Sequence, residues 1–411
     1  MIKNYKNLIN EIKKNQKSMV DELHQLCEIN SGTTNLDGLS ATANLLQLMF
    51  SPLADEIYRK NLPPLLSMSI SGHETLQTFG DVLFIRKRPQ LKRRILLCGH
   101  MDTVYAADNP FQKLKYLNEN CINGPGVADM KGGLIVMLHA LSAFEQDARA
   151  TEIGWDVLIN PDEEIGSPAS SFLFDEMAAN YKAALIYEPA MDEKGTLAKN
   201  RRGSGKLTLI ATGKSAHVGR DFTKGRNAIC YLAEALCAVH SLNGKRPGVT
   251  INVGKVAGGE ALNVVPDRAV AQLDIRISLP EDENWVRFEL NQIICQLKRN
   301  DYSLNIYGHF GRPVKRVCSG TERLFHRIQH LGHELGISID WKDSGGCCDG
   351  NNLAQNGLPV IDTLGVRGGH IHSAEEYILL DSLSERASLS TLVLLDFAQG
   401  GLEDLKNDAI S

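Results

Sequence analysis

Residues 94–104, RILLCGHMDTV, decide the fold. Arg94–Cys98 is a short apolar run with the length of a buried strand, and it halts at Gly99 before His100 and Asp102. Working outward, Lys131–Phe144 has the spacing of an amphipathic helix and opens on Gly132–Gly133, while Trp155–Ile159 (WDVLI) and Ala183–Ile186 (AALI) repeat the strand pattern. Such β–α–β alternation predicts an α/β layer with mostly parallel strands. At the N-terminus, Leu8, Ile12, Met19, Leu23 and Leu26 recur at roughly helical spacing and predict an amphipathic helix.

From about Arg202 the texture changes. Lys206–Ala211 (KLTLIA) and Ala269–Ile277 (AVAQLDIRI) alternate with period two, as half-buried strands do, and 227–241 and 283–299 read as helices. Two helices on an antiparallel sheet make an α+β unit long enough to fold by itself. After Gly311–Arg312–Pro313 the α/β texture returns, with a helix near 320–335 and a strand at Pro359–Leu364. The expected organisation is therefore a first part at 1–201, an inserted domain at 202–311 and a second part at 312–411.

Composition narrows the function classes. Of 411 residues, 43% are hydrophobic and 23% charged, as in soluble globular chains, and the formal net charge of -5 provides no polycation for nucleic acid or anionic membrane. No window approaches the roughly 20 apolar residues of a membrane span. The nine cysteines are odd in number and scattered, with Cys347–Cys348 adjacent, and form neither a disulfide framework nor a CxxC knuckle. A cytoplasmic protein is expected.

Five segments each place a metal-capable side chain at a strand end or in the loop that follows. In GHMDTV, His100 has a ligand's chemistry, and Asp102, two residues on, points to the same side and can hold the imidazole's other N–H; alone, the pair also reads as a polar strand end. In GPGVADMKGG, Asp129 sits at the mouth of a helix, where a carboxylate can bridge cations or simply cap the helix. In PDEEIGS, the adjacent Glu163 and Glu164 repel unless a cation or proton intervenes, and a solvated acidic turn is the other reading. Glu188 in YEPA and His372 in HIHSAEEY complete the set. Singly each is bland. Together, gathered where ligands collect in open α/β sheets, they supply two histidines and three carboxylates with one carboxylate over, a donor set that suits Zn²⁺, with Co²⁺ or Mn²⁺ as substitutes.

GHMDTV, GPGVADMKGG, PDEEIGS, YEPA and HIHSAEEY resemble, in order, the signature segments of the M20 metallopeptidases, over about residues 26–397. The resemblance implies an α/β fold: an α/β/α catalytic domain of the phosphorylase/hydrolase-like, zinc-peptidase type with an inserted α+β, ferredoxin-like dimerisation or lid domain. It implies two Zn²⁺ per subunit, with His100 and Glu188 on one, Glu164 and His372 on the other, and Asp129 bridging. Glu163 would be the general base, Asp102 the partner of His100, and Asp129–Met130 a candidate cis peptide. In GKSAH, His217 resembles a histidine that reaches across a homodimer to stabilise the oxyanion. Asn263, Arg276 and Arg312 resemble residues that hold a substrate carboxylate. Ser344–Asp349 stands where glutamate carboxypeptidases carry a glycine-rich turn ending in Thr-Asp, and Cys347–Cys348 departs from that pattern.

The expected function is hydrolysis of an amide or peptide bond beside a free carboxylate in a small N-acylated amino acid or peptide, foremost a glutamate-type carboxypeptidase. The alternative within the same chemistry is an N-acyl amino acid deacylase or desuccinylase. A third reading is a catalytically silent binding protein on the same fold, which the full set of ligands and base disfavours.

Overall fold

The computed structural model describes residues 2–405. Arg94–His100 lies inside a six-stranded sheet in the order Glu56–Lys60, Val82–Lys87, Gly154–Asn160, Arg94–His100, Ala184–Ile186, Val360–Ile361. It pairs in parallel with Gly154–Asn160 and Ala184–Ile186, and the latter pairs in parallel with Val360–Ile361. Val82–Lys87 runs antiparallel to both its neighbours, Gly154–Asn160 and Glu56–Lys60, so the sheet is mixed, with its parallel part around Arg94–His100. Every residue of Arg94–His100 and Gly154–Asn160 is buried, as expected of strands covered on both faces.

The helix Gly132–Phe144 differs from its amphipathic reading, for only His139 and Ser142 escape full burial. It packs against the helices Gln16–Cys27 and Asp381–Asp396 as well as the sheet. Its apolar stretch extends further than the sequence reading allowed. Val127–Phe144 is 18 residues with a mean hydropathy of 1.3, long and apolar enough to cross a membrane, and 89% of it is buried inside the protein as a core helix. The N-terminal helix is likewise two, Ile2–Lys14 and Gln16–Cys27, because Asn15 (φ -79°, ψ 3°) leaves the helical region. Ile12 before the break and Met19, Leu23 and Leu26 after it are all buried.

The chain divides into two compact units. One contains the chain up to Pro63, Phe79–Arg201 and everything from Lys315 onward; the other contains Pro64–Thr78 and Arg202–Val314. The units divide at 201/202 and again after Val314 rather than at 311/312, and the hairpin Leu65–Met68/Glu74–Gln77 belongs to the second unit. Arg268 donates to the Gly72 carbonyl (3.1 Å) and Gln272 to that of Met68 (3.4 Å). The second unit's main sheet is antiparallel, in the order Thr250–Gly258, Arg268–Ile277, Gly203–Thr212, Ser303–Arg312. Leu207, Leu209, Leu273 and Ile275 on one face share a core with Tyr231, Leu232, Val286 and Leu290 of the helices Ala228–His240 and Asp282–Leu297.

Candidate metal centre

Three adjacent parallel strands deliver acidic and imidazole groups to one edge of the larger sheet. His100 ends its strand, Glu163 and Glu164 form the single turn after Gly154–Asn160, and Glu188 follows Ala184–Ile186. The carboxyl edge is where such sheets gather ligands. Asp129 and His372 arrive differently. Asp129 lies in the turn Val127–Lys131 ahead of the buried helix, and His372 in the turn between Gly368–Gly369 and Tyr377–Leu379, strands of a separate small sheet. Two glycines let the Asp129 turn form: Gly126 takes φ +72°, and a Cβ on Gly133 would stand 2.0 Å from the Tyr187 carbonyl oxygen beside Glu188. The Asp129–Met130 peptide is cis.

The side chains converge. Asp129 turns Oδ1 to His100 Nε2 (3.1 Å) and Oδ2 to His372 Nε2 (3.3 Å). His100 Nε2 is also 3.9 Å from Glu188 Oε2, and His372 Nε2 is 3.0 Å from Glu164 Oε2. Ligand atoms of His100, Glu163 and Glu188 lie within 4.8 Å of one another, as do those of His100, Asp129 and Glu164.

These residues suit divalent cations on two grounds. Two ligands of one tetrahedral zinc, each about 2.0–2.1 Å from it, stand about 3.3 Å apart, close to the imidazole–Asp129 separations. The second ground is charge. Burial raises Glu164 to about 8, with Asp129's charge adding to the effect, and burial pushes Glu188 well above the usual carboxylate range against the pull of His100. Burial would also raise Asp129, but hydrogen bonds to His100 and His372 hold it low. Hydrogen bonds to Asp102 and Asp129 raise His100 despite its burial, and those to Asp129 and Glu164 bring His372 to about 11. Protons are thus doing what cations would do: neutralising a crowd of buried carboxylates.

Asp102, fully buried, stands 3.3 Å from His100 Nδ1, which is also 3.0 Å from the Asp102 carbonyl. Its carboxylate accepts from the backbone N–H of Glu163 and Glu164 (3.2 Å each) and from the Thr33 hydroxyl (2.8 Å), so one side chain organises two loops. Sequence reasoning missed Glu376 and Tyr105. Glu376 is buried beneath the Asp129 turn and bonds to Tyr105, while its neighbour Glu375 is exposed. The acidic doublet in HIHSAEEY was visible, but nothing in it says which glutamate faces inward.

The remaining expected residues lie in the second unit and fall into two groups. His217 pairs with Val264 on a two-stranded ribbon, next to Asn263, whose carbonyl accepts from Val218 N–H at 3.0 Å. Arg276 and Arg312 both pair with Ser204, which puts them on one sheet face, at the end of Gly203–Thr212 away from that ribbon. Arg268, at the ribbon end, and Arg276 are eight residues apart, roughly 27 Å along the strand. Asn263, Arg276 and Arg312 therefore do not come together in one unit as a joint carboxylate grip. Arg276 is held by Asp274 (2.7 and 3.1 Å), and Arg312 is buried. Cys348, also buried, caps the helix Asp349–Gln355, with its N–H bonded to Asn351 Oδ1 at 3.1 Å.

A profile of the family described as Peptidase family M20/M25/M40 matches residues 96–396. The chain is 27% identical over 393 residues to Carboxypeptidase G2 of Pseudomonas sp. (strain RS-16), covering 94% of this chain and 90% of that protein. It is 25% identical over 346 residues to succinyl-diaminopimelate desuccinylase of Hahella chejuensis, covering 79% of this chain and 88% of that one. A solved tripeptidase from Staphylococcus aureus subsp. aureus mu50 shares the fold, with a TM-score of 0.72 and 22% identity over 94% of this chain and 99% of that one.

Proposed function

The chain belongs to peptidase family M20/M25/M40, and on that premise we propose a two-cation amidohydrolase that removes the acyl group from a small N-acyl amino acid. The observation that carries the reading is Asp129, with one carboxylate oxygen facing each of two histidines and a further carboxylate beside each histidine. Held by His100 and Glu188 on one side, by Glu164 and His372 on the other and sharing Asp129, two divalent cations, foremost Zn²⁺, would supply Lewis acidity and a water acidified toward neutrality. Glu163 lies in the same cluster, its backbone fixed on Asp102. Its carboxylate takes the proton of the attacking water and returns it to the leaving nitrogen.

Deacylation of the desuccinylase kind has the better support over release of a C-terminal glutamate. Several of the related curated proteins are desuccinylases. The glutamate-releasing reading rests on the choice of Glu188 and on Arg312, which is buried and apart from Asn263, and Cys347–Cys348 departs from the turn of glutamate carboxypeptidases. One observation favours glutamate release as a second reading: the match to Carboxypeptidase G2 spans 94% of the chain. A panel of N-succinyl-diaminopimelate, N-acetylornithine and N-acyl glutamates, each with added Zn²⁺ or Co²⁺, decides between them. Higher kcat/KM on the first two is expected; preference for the glutamates replaces the first reading with the second, and hydrolysis of none removes both.

The second unit is read as a dimerisation unit. Its two groups of polar residues stand at opposite ends of one strand, so both can serve one substrate only if a second copy supplies His217 and Asn263. Co-expressed Glu163→Ala and His217→Ala chains should then regain activity that neither has alone, because a mixed dimer holds one intact site. No recovery argues for a site built from one chain.

A further inference from the structure

The turn that carries His372 ends on Glu376, a fully buried carboxylate outside the proposed ligand set. Its oxygens accept four hydrogen bonds: from the backbone N–H of Gly126 (3.1 Å), Ala128 (2.9 Å) and Asp129 (3.0 Å), and from the Tyr105 hydroxyl (2.7 Å). Its carbonyl accepts from Gly124 N–H (3.1 Å) and the Asn123 side chain (2.7 Å). Tyr105 also reaches the Ser373 carbonyl (2.8 Å), one residue past His372. A buried carboxylate is tolerated only when its hydrogen bonds are made. Here they tie the turn bearing Asp129 to the turn bearing His372.

We propose that Glu376 is a positioning residue that sets the spacing of these two turns, so that Asp129 and His372 can hold the same cation. The proposal rests on the two-cation reading above. Backbone N–H groups reach both oxygens, so each must present lone pairs, which an ionised carboxylate does and an amide of equal size does not; the single Tyr105 proton is shared with the Ser373 carbonyl. His100 and Glu188 stand at strand ends of the larger sheet, without hydrogen bonds to Glu376 among those described. The cation they share should depend on Glu376 less than the cation of His372 and Glu164.

Co²⁺ titration of the chelator-treated full chain, followed by visible absorption and by competition with a chelator, tests this. Wild type should take up two equivalents. Glu376→Gln should keep one at near wild-type affinity and weaken the other by roughly ten- to a hundredfold, the usual effect of losing support behind a ligand. Tyr105→Phe, which removes one donor of four, should weaken the same cation by a smaller factor and covers the case in which Glu376→Gln does not fold. Two equivalents of wild-type affinity in Glu376→Gln, equal weakening of both, or an unchanged Tyr105→Phe where the glutamine variant is unfolded would each overturn the proposal while leaving the two-cation reading intact. Fewer than two equivalents in wild type would overturn that reading, and this one with it.

Discussion

Glu164 and His372, 3.0 Å apart, both bind protons more tightly than usual: burial brings the glutamate to about 8, and hydrogen bonds to Asp129 and Glu164 bring the histidine to about 11. Metal ligands must shed those protons. Cation uptake at pH 7 should therefore release protons, and affinity should climb as pH rises toward 8 and beyond; calorimetry in two buffers of different ionisation enthalpy measures the release, and none would contradict the ligand assignment. The sign for folding runs the other way. Both folded values are raised, so their stabilisation is complete below the ordinary values and lost as pH rises through about 8 for Glu164 and about 11 for His372. The chelator-treated protein should melt at a lower temperature at pH 9 than at pH 7. Glu163 and Asp102 separate chemistry from support. Glu163→Ala should leave cation content near normal and lower kcat by roughly 10²–10⁴-fold, the range for a general base. Asp102→Asn leaves one fewer acceptor for His100, Thr33 and two backbone N–H groups. It should instead weaken cation affinity by roughly ten- to a hundredfold. Metal analysis beside steady-state kinetics checks both.

Among the elements, the helix Gly132–Phe144 comes tightly against the strand end that bears Glu188. Replacing Gly133 with Ala gains about 1 kcal/mol of helix propensity. The added Cβ would, however, meet the Tyr187 carbonyl oxygen at 2.0 Å, and that backbone is anchored to Cys98. Overpacking of this kind costs about 1–3 kcal/mol or more, so the clash wins. Gly133→Ala should lower unfolding free energy in urea and cation affinity together; a variant as stable as wild type would contradict the packing described. The strands Arg94–His100 and Gly154–Asn160 were legible because a buried parallel strand is an uninterrupted apolar run that stops at its functional end. The break at Asn15 and the hairpin at 64–78 were not. The first preserves the apolar stripe on both sides, and the second is a largely exposed hairpin held by backbone carbonyls that any sequence provides.

For the whole molecule, the six side chains of the proposed metal cluster come from segments between residues 100 and 372 and converge in one unit. The types of all six, and the strand-end positions of His100, Glu163, Glu164 and Glu188, were readable from the sequence because chemistry limits what can bind a cation; Asp129 and His372 come instead from turns outside that sheet. Glu376 was not readable, since its role depends on a contact with Asp129 that spans 247 positions. That Asn263 lies apart from Arg276 and Arg312 within one unit was hidden for a related reason: order along the chain does not reveal which end of a ten-residue strand a loop leaves from. The two-cation centre is tested most directly by anomalous scattering at the zinc edge from crystals of the zinc-loaded protein. Two peaks per chain should appear, one touching His100 and Glu188, the other Glu164 and His372, with Asp129 between them; a single peak, or a pair bound elsewhere, would contradict it.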